Sequence, residues 1–346
     1  MSSLSEFIKN HEVLSFFVLT YIIAWGSFAL LVPFAGVLVT DGQIQIPAVP
    51  LLMLTPFAPA LSGIITTTIV GGGSPKGSIR TQVTAFLVAF IPTLLIFLLN
   101  PNLRAMYDYT PTVVAVSVLV AMIPAFVISS VFSRKQGVRE YLASLVRPRG
   151  SGFWYLIAVV VFPALYLLGV AVMKALGQDV AWVIVETDGG LGLAALVAIT
   201  FLYQFVYGNC IGEEPGWRGF AQRKLQKRYS PLAAALIVGF VWILWHFPLW
   251  LLQGGPLAFE FEYLLRQFIF GIAIGLTFTW LYNRSGESIL AVGLMHASTN
   301  VTAIFLSETD ASNAMLLALP FIVVMFDRMW RPLPQETISE SEKARA

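Results

Sequence analysis

The chain has 346 residues, of which 57% are hydrophobic and 12% charged, and its mean hydropathy is +0.78. An ordinary soluble domain carries roughly 25% charged residues, so this composition excludes one and specifies a membrane protein. The formal net charge of +2 is too small to draw a nucleic-acid partner, and the basic residues stand beside apolar runs, where anionic lipid and insertion topology account for them. Cys210, the single cysteine, allows no internal disulfide and is expected to act as a small packing residue.

Lys9 precedes an apolar run from Val13 to about residue 37, longer than the roughly 7 to 15 residues of a signal-peptide core and without a small-x-small cleavage site. It is expected to be a retained first span. A bilayer core about 30 Å thick needs roughly 20 apolar residues of helix. That length predicts spans at about residues 14 to 38, 48 to 70, 83 to 99, 111 to 133, 153 to 176, 191 to 212, 231 to 252, 263 to 283, 288 to 306 and 312 to 326. The fold expected is an all-α, polytopic membrane helical bundle of about ten transmembrane helices. Pro33, Pro56, Pro59 and Pro163 predict kinks, which bundled membrane helices tolerate because neighbours satisfy the freed backbone groups.

The loop charges alternate. Lys76 and Arg80, then Arg134, Lys135, Arg139, Arg147 and Arg149, then Arg223, Lys224, Lys227 and Arg228 fall in every second connection. The others hold Asp41, Asp179, Glu186, Asp188, Glu260, Glu262, Glu308 and Asp310. With ten spans, the positive-inside rule places the basic connections and both termini in the cytoplasm of a multi-pass cell-membrane protein. The polar tail after Arg331 is expected to be disordered and cytoplasmic. No internal repeat is evident.

Ionisable residues inside a membrane are costly and default to functional sites. Two of the three histidines, His246 in "FVWILWHFPLW" and His296 in "GLMHASTNVT", fall in predicted spans, whereas His11 is in the N-terminal tail. Between two apolar stretches stands "IGEEPGWRGF", with Glu213, Glu214 and Arg218. Glu214 and Arg218 are four apart and share a helix face, so a buried ion pair fixing helix register is the structural reading for them. Glu213 points about 100° away. His296 and Asn300 are likewise four apart on one face. Trp217, Trp242, Trp245 and Trp250 are expected to face lipid or to pack against other helices.

Depth brings these groups together. Ser230 and Pro231 read as the turn of a helical hairpin after the basic stretch "RKLQKRYS". The Glu pair lies about sixteen residues before that turn and His246 about fifteen after it, each roughly 24 Å along its helix at the α-helical rise. A second turn near Arg284 to Glu287 leaves His296 about ten residues, or roughly 15 Å, into the next span. Converging Glu, His, His and Asn can support hydrolysis in two ways. A carboxylate and an imidazole can activate water while a second His and an Asn donate to a developing oxyanion. Alternatively Glu213, His246 and His296 can bind zinc with an open position for the water, although H-E-x-x-H is absent.

"EEPGWRG" at 213 to 219, "WHFP" at 245 to 248 and "HASTN" at 296 to 300 resemble the three signatures of the CPBP family of intramembrane endopeptidases. That family includes the type II CAAX prenyl proteases and the bacterial abortive-infection and bacteriocin-processing proteins. Its pattern is EExxxR, FxxxH and HxxxN or HxxxB; here Trp242 stands in place of Phe, which keeps an aromatic. The resemblance covers about residues 190 to 306. It implies that Glu213 and His246 activate water, that His296 with Asn300 stabilises the oxyanion, and that Glu214 and Arg218 brace the site. On this reading residues 190–306 form a catalytic membrane core, 1–189 are flanking helices, 307–330 a last helix and 331–346 a tail. The partners expected are membrane lipid and a peptide or membrane-protein substrate. Two other classes fit the composition: a proton-coupled transporter with a carboxylate and histidine relay, and a non-catalytic immunity-type membrane protein.

Overall fold

Long apolar runs become helices here because a lipid-embedded backbone must satisfy its own hydrogen bonds. The computed structural model describes residues 3–31, 39–40, 43–44, 49–71, 77–99, 110–185 and 192–334. Pro33, Asp41, Lys76, Glu186, Asp188 and the tail from residue 335 lie outside the described residues, so the expectations placed on them stay as stated above.

In chain order the helices are α1 (Ser3–Asn10), α2 (Glu12–Leu31), α3 (Val49–Val70), α4 (Ile79–Leu98), α5 (Pro111–Ser129), α6 (Gln136–Val146), α7 (Gly152–Ala175), α8 (Leu193–Tyr203), α9 (Pro231–Trp245), α10 (Phe247–Gly254), α11 (Phe261–Arg284), α12 (Ile289–Phe305) and α13 (Asp310–Phe326). Strand content among the described residues is slight: Val39–Thr40 pairs antiparallel with Gln43–Ile44, and Val183 bridges Leu306. Six starts follow one rule. Ser78, Thr110, Ser151, Ser230, Ser288 and Thr309 each cap a helix by accepting a backbone N–H, and Thr309 forms a reciprocal box with Ser312. Such caps satisfy orphan donors that lipid cannot.

The result is an all-α, polytopic membrane helical bundle. Among the described residues seven helices are long and apolar enough to cross a membrane: Glu12–Leu31, Val49–Val70, Ile79–Leu98, Pro111–Phe132, Gly152–Ala175, Pro231–Leu251 and Phe261–Arg284. Each of the ten predicted segments coincides with a helix, but Leu193–Gly208, Ile289–Phe305 and Asp310–Phe326 are shorter. Seven of the ten predicted spans therefore meet the length and composition of a membrane crossing, and three are shorter apolar helices. Helices α3 and α7 run through Pro56, Pro59 and Pro163. Their exposed faces are apolar, as on α4, where Val83, Leu87, Val88, Ile91 and Leu95 point outward; lipid is the solvent that such a face requires.

Two compact units divide the chain, one of Met1–Arg147 with Leu202–Phe220 and the other of Pro148–Phe201 with Ala221–Ala346. In the first, α3 packs against α2, α5 and α6, and α4 against α5. Helix α6 corrects the reading of residues 134 to 149 as a bare basic connection. Val138, Tyr141, Leu142 and Leu145 recur at helical spacing and are buried, a short amphipathic stripe that flanking Arg and Lys residues conceal in the sequence. In the second unit α7 packs on α12 and α13, and α11 on α9, α12 and α13. Gly286 and Glu287, with φ of 70° and 59°, make the turn between α11 and α12, at the position predicted for it.

Candidate active site

The acidic segment belongs to the first unit and is not a regular α-helix. After α8 the backbone is π-helical over Gln204–Gly208, turns through residues 209 to 213, and is π-helical again over Pro215–Gln222. The carbonyl of Asn209 accepts the N–H groups of both Glu213 and Glu214, at 3.0 and 3.1 Å. Its side-chain amide reaches Glu213 Oε1 at 3.4 Å. Wide turns of this kind are rare and concentrate at functional sites. They also correct the depth argument, since the rise of 1.5 Å per residue belongs to an α-helix and does not apply to this limb.

Within the segment Arg218 Nη1 lies 3.1 Å from Glu214 Oε1, and both side chains are at most 1% exposed. Glu213 is buried at 4% exposure. Two glycines let the segment approach α3 closely. A Cβ on Gly212 would stand 2.3 Å from Pro56 O, and one on Gly216 would stand 2.4 Å from Pro59 Cβ. The Ala60 N–H donates to Gly212 O at 2.9 Å, so this proline-containing helix spends a backbone donor on the neighbouring segment. Trp217 packs on the rings of Phe16 and Phe17, and Phe220 on Phe16 and Tyr141.

The histidines belong to the second unit. His246 is the C-cap of α9, where the helix breaks before Phe247 and Pro248, and a proline just past a cap cannot continue the preceding ladder. Its Nδ1 lies 2.8 Å from Trp242 O. A carbonyl can only accept, so Nδ1 carries the proton and the Nε2 lone pair remains for chemistry. Trp242 and Trp245 meet the imidazole edge-on at 4.9 and 4.8 Å, and Trp250 lies parallel to it at 6.4 Å. His296, on α12, is buried and contacts Trp242 at 5.6 Å and Phe278 at 4.9 Å. Trp242 thus touches both imidazoles. Asn300, one turn beyond His296 on α12, is half-buried.

Residues 194–302 match the family described as "Type II CAAX prenyl endopeptidase Rce1-like". The match is to the Rce1-like CAAX prenyl protease family. A curated relative, "CAAX prenyl protease 2" of Methanococcus maripaludis, is 26% identical over 184 residues, which span 50% of this chain and 65% of that protein. Glu213, Glu214, Arg218, His246, His296 and Asn300 all fall inside the Rce1-like region.

The structure brings Glu213, Glu214 and Arg218 together in one unit and His246 with His296 in the other. It adds one residue that motif spacing did not single out. Asn209 is a lone polar side chain four residues before Glu213, a signal that could have found it. Trp242, Trp245 and Trp250, spaced four before, one before and four after His246, are packing residues and not lipid-facing ones. Cys210 is buried and outside any disulfide, as a small packing residue should be. Among the described residues no group of three or more His, Cys, Asp or Glu side chains is placed to hold a metal ion. The reading of Glu213, His246 and His296 as zinc ligands stays as stated above, and no step below is routed through a metal.

Proposed function

We propose that this protein is an intramembrane endopeptidase that hydrolyses a peptide bond in a membrane-associated protein or peptide. Residues 190–306 are its catalytic core. Glu213 and the Nε2 of His246 share and deprotonate the attacking water, while His296 and Asn300 donate to the oxyanion of the tetrahedral intermediate. The Glu214–Arg218 pair holds the backbone that presents Glu213 and takes no part in proton transfer. Its spans number ten, with both termini in the cytoplasm and the cleaved bond near the cytoplasmic side.

The observation that carries this reading is the His246 imidazole. It is held at Nδ1 by Trp242 O and set among three tryptophans, in a region that matches an endopeptidase family. A histidine that merely joined two helices would be expected to bond across them; this one bonds to its own helix and keeps its other nitrogen for a proton. Glu213, next to a buried ion pair and reached by the Asn209 amide, supplies the carboxylate.

The test compares membrane proteomes containing the intact chain with those containing Glu213→Gln or His246→Ala. Peptides cut by the intact chain should be uncut in both variants, which still insert and fold. Full cleavage by both variants would falsify the proposal.

A further inference from the structure

Peptide hydrolysis inside a bilayer needs water, and one face of α3 has the chemistry to hold it. Thr55, Pro59, Ser62 and Thr66 recur at intervals of four, three and four and are buried, so they form one stripe along the helix. Pro59 has no N–H to give to Thr55 O, so that carbonyl lacks its helical donor. Thr55 Oγ1 and Ser62 Oγ, also buried, make no hydrogen bond among the described residues. A third buried hydroxyl without a partner there, that of Tyr141, lies against α3 at Gly63, where a Cβ would stand 2.3 Å from it. Three orphan hydroxyls and a proline-freed carbonyl around one helix in lipid would each cost free energy if dry, and a bound water needs two to four such partners.

The stripe adjoins the acidic segment. Gly212 and Gly216 approach Pro56 and Pro59, and Glu213 follows Gly212 directly. We propose that the Thr55–Ser62 face of α3 holds a short file of ordered water molecules on Thr55, Ser62 and Tyr141, and that this file delivers the hydrolytic water to Glu213. The delivery rests on the peptidase reading above; the binding of water does not. Thr55 and Ser62 are seven residues apart, about 10 Å along the axis, a separation that takes several waters rather than one.

Radiolytic hydroxyl-radical footprinting of the full chain in lipid nanodiscs, in 18O water, tests the binding. Pro56 and Pro59 should be oxidised faster than Pro92, which is exposed on lipid-facing α4. Thr55→Val/Ser62→Ala should lower that labelling about fivefold, and Thr55→Ser/Ser62→Thr, which keeps both hydroxyls, should restore it. Rates at Pro56 and Pro59 no higher than at Pro92, or labelling unchanged by the apolar pair, would overturn the proposal. Unfolding would betray itself by raised labelling at Pro92 as well, in which case Ser62→Ala alone decides. On a substrate identified by the proteomic comparison, the apolar pair should reduce kcat about tenfold with KM unchanged; an unchanged kcat overturns the delivery. Hydroxyl-dependent labelling in a chain that cleaves nothing would leave the water site standing and remove the peptidase.

Discussion

The carbonyl oxygen of Trp242 lies 2.8 Å from Nδ1 of His246, one helical turn further on, and this contact decides which nitrogen can do chemistry. The imidazole is locked in the Nδ1–H tautomer by its own helix, and Nε2 faces away from that anchor with an available lone pair. In a uniformly 15N-histidine-labelled sample, His246 should give a protonated, pyrrole-type Nδ1 signal and an unprotonated Nε2. The opposite pattern would remove Nε2 as the base. His246→Asn and His246→Gln each lack a base, and both should lose about a hundredfold or more in cleavage rate while remaining folded.

The buried Glu214–Arg218 pair predicts an asymmetric stability response. Removing one member strands a charge in an apolar bundle, so Arg218→Ala should cost about 3–5 kcal/mol in unfolding free energy. Replacing both members with apolar residues of similar size, as in Glu214→Leu/Arg218→Met, should recover most of that loss. Reversible unfolding in mixed micelles measures both. A double variant no more stable than Arg218→Ala would mean that the pair serves more than register.

Helix positions could be read from the sequence because the bilayer imposes a length and a composition that counting detects, and the turns at Ser230–Pro231 and Gly286–Glu287 carry local chemistry. The pairing of Glu214 with Arg218 was legible for the same local reason. Counting could not show the π-helical turns over Pro215–Gln222, since apolar residues there do not announce a change from four-residue to five-residue hydrogen bonding. Nor could it show that Pro56 and Pro59 receive Gly212 and Gly216 from some 150 residues away, a contact between distant segments with no shared periodicity. The tryptophans around His246 were visible as letters, but their burial was not. Helix α6 was hidden because 11 residues are too few for a span and basic residues flank them.

The two close-approach glycines should be intolerant of a methyl group. Gly212→Ala and Gly216→Ala place a Cβ within 2.5 Å of α3 backbone or ring atoms, which must move, at a cost of about 1–3 kcal/mol. The acidic segment would move with them, so cleavage should fall even where folding survives. Gly26→Ala and Gly152→Ala, which would meet nothing within 4 Å, are the controls; a helical glycine replaced by alanine gains up to about 1 kcal/mol. Equal behaviour of the two pairs in unfolding and cleavage would show that the approach to α3 is not close.

A final prediction concerns the amides that follow the acidic segment in the second unit. Gln226 Nε2 donates to Asn283 Oδ1 and Asn283 Nδ2 to Gln226 Oε1, both at 3.0 Å, and Gln222 Nε2 donates to the same Gln226 oxygen at 2.9 Å. Gln222 and Gln226 are almost wholly buried, so these bonds have little competition from water, and Gln226 is the member that joins the other two. Gln226→Leu leaves both partners without it and should cost about 1–3 kcal/mol. Asn283→Leu removes one arm and should cost less, because Gln222 keeps its acceptor. The double variant Gln226→Leu/Asn283→Leu should be more stable than the sum of the single losses, with a coupling of about 0.5–3 kcal/mol. Strict additivity in a double-mutant cycle would show that the reciprocal pair does not tie the end of α11 to the segment after Gln222.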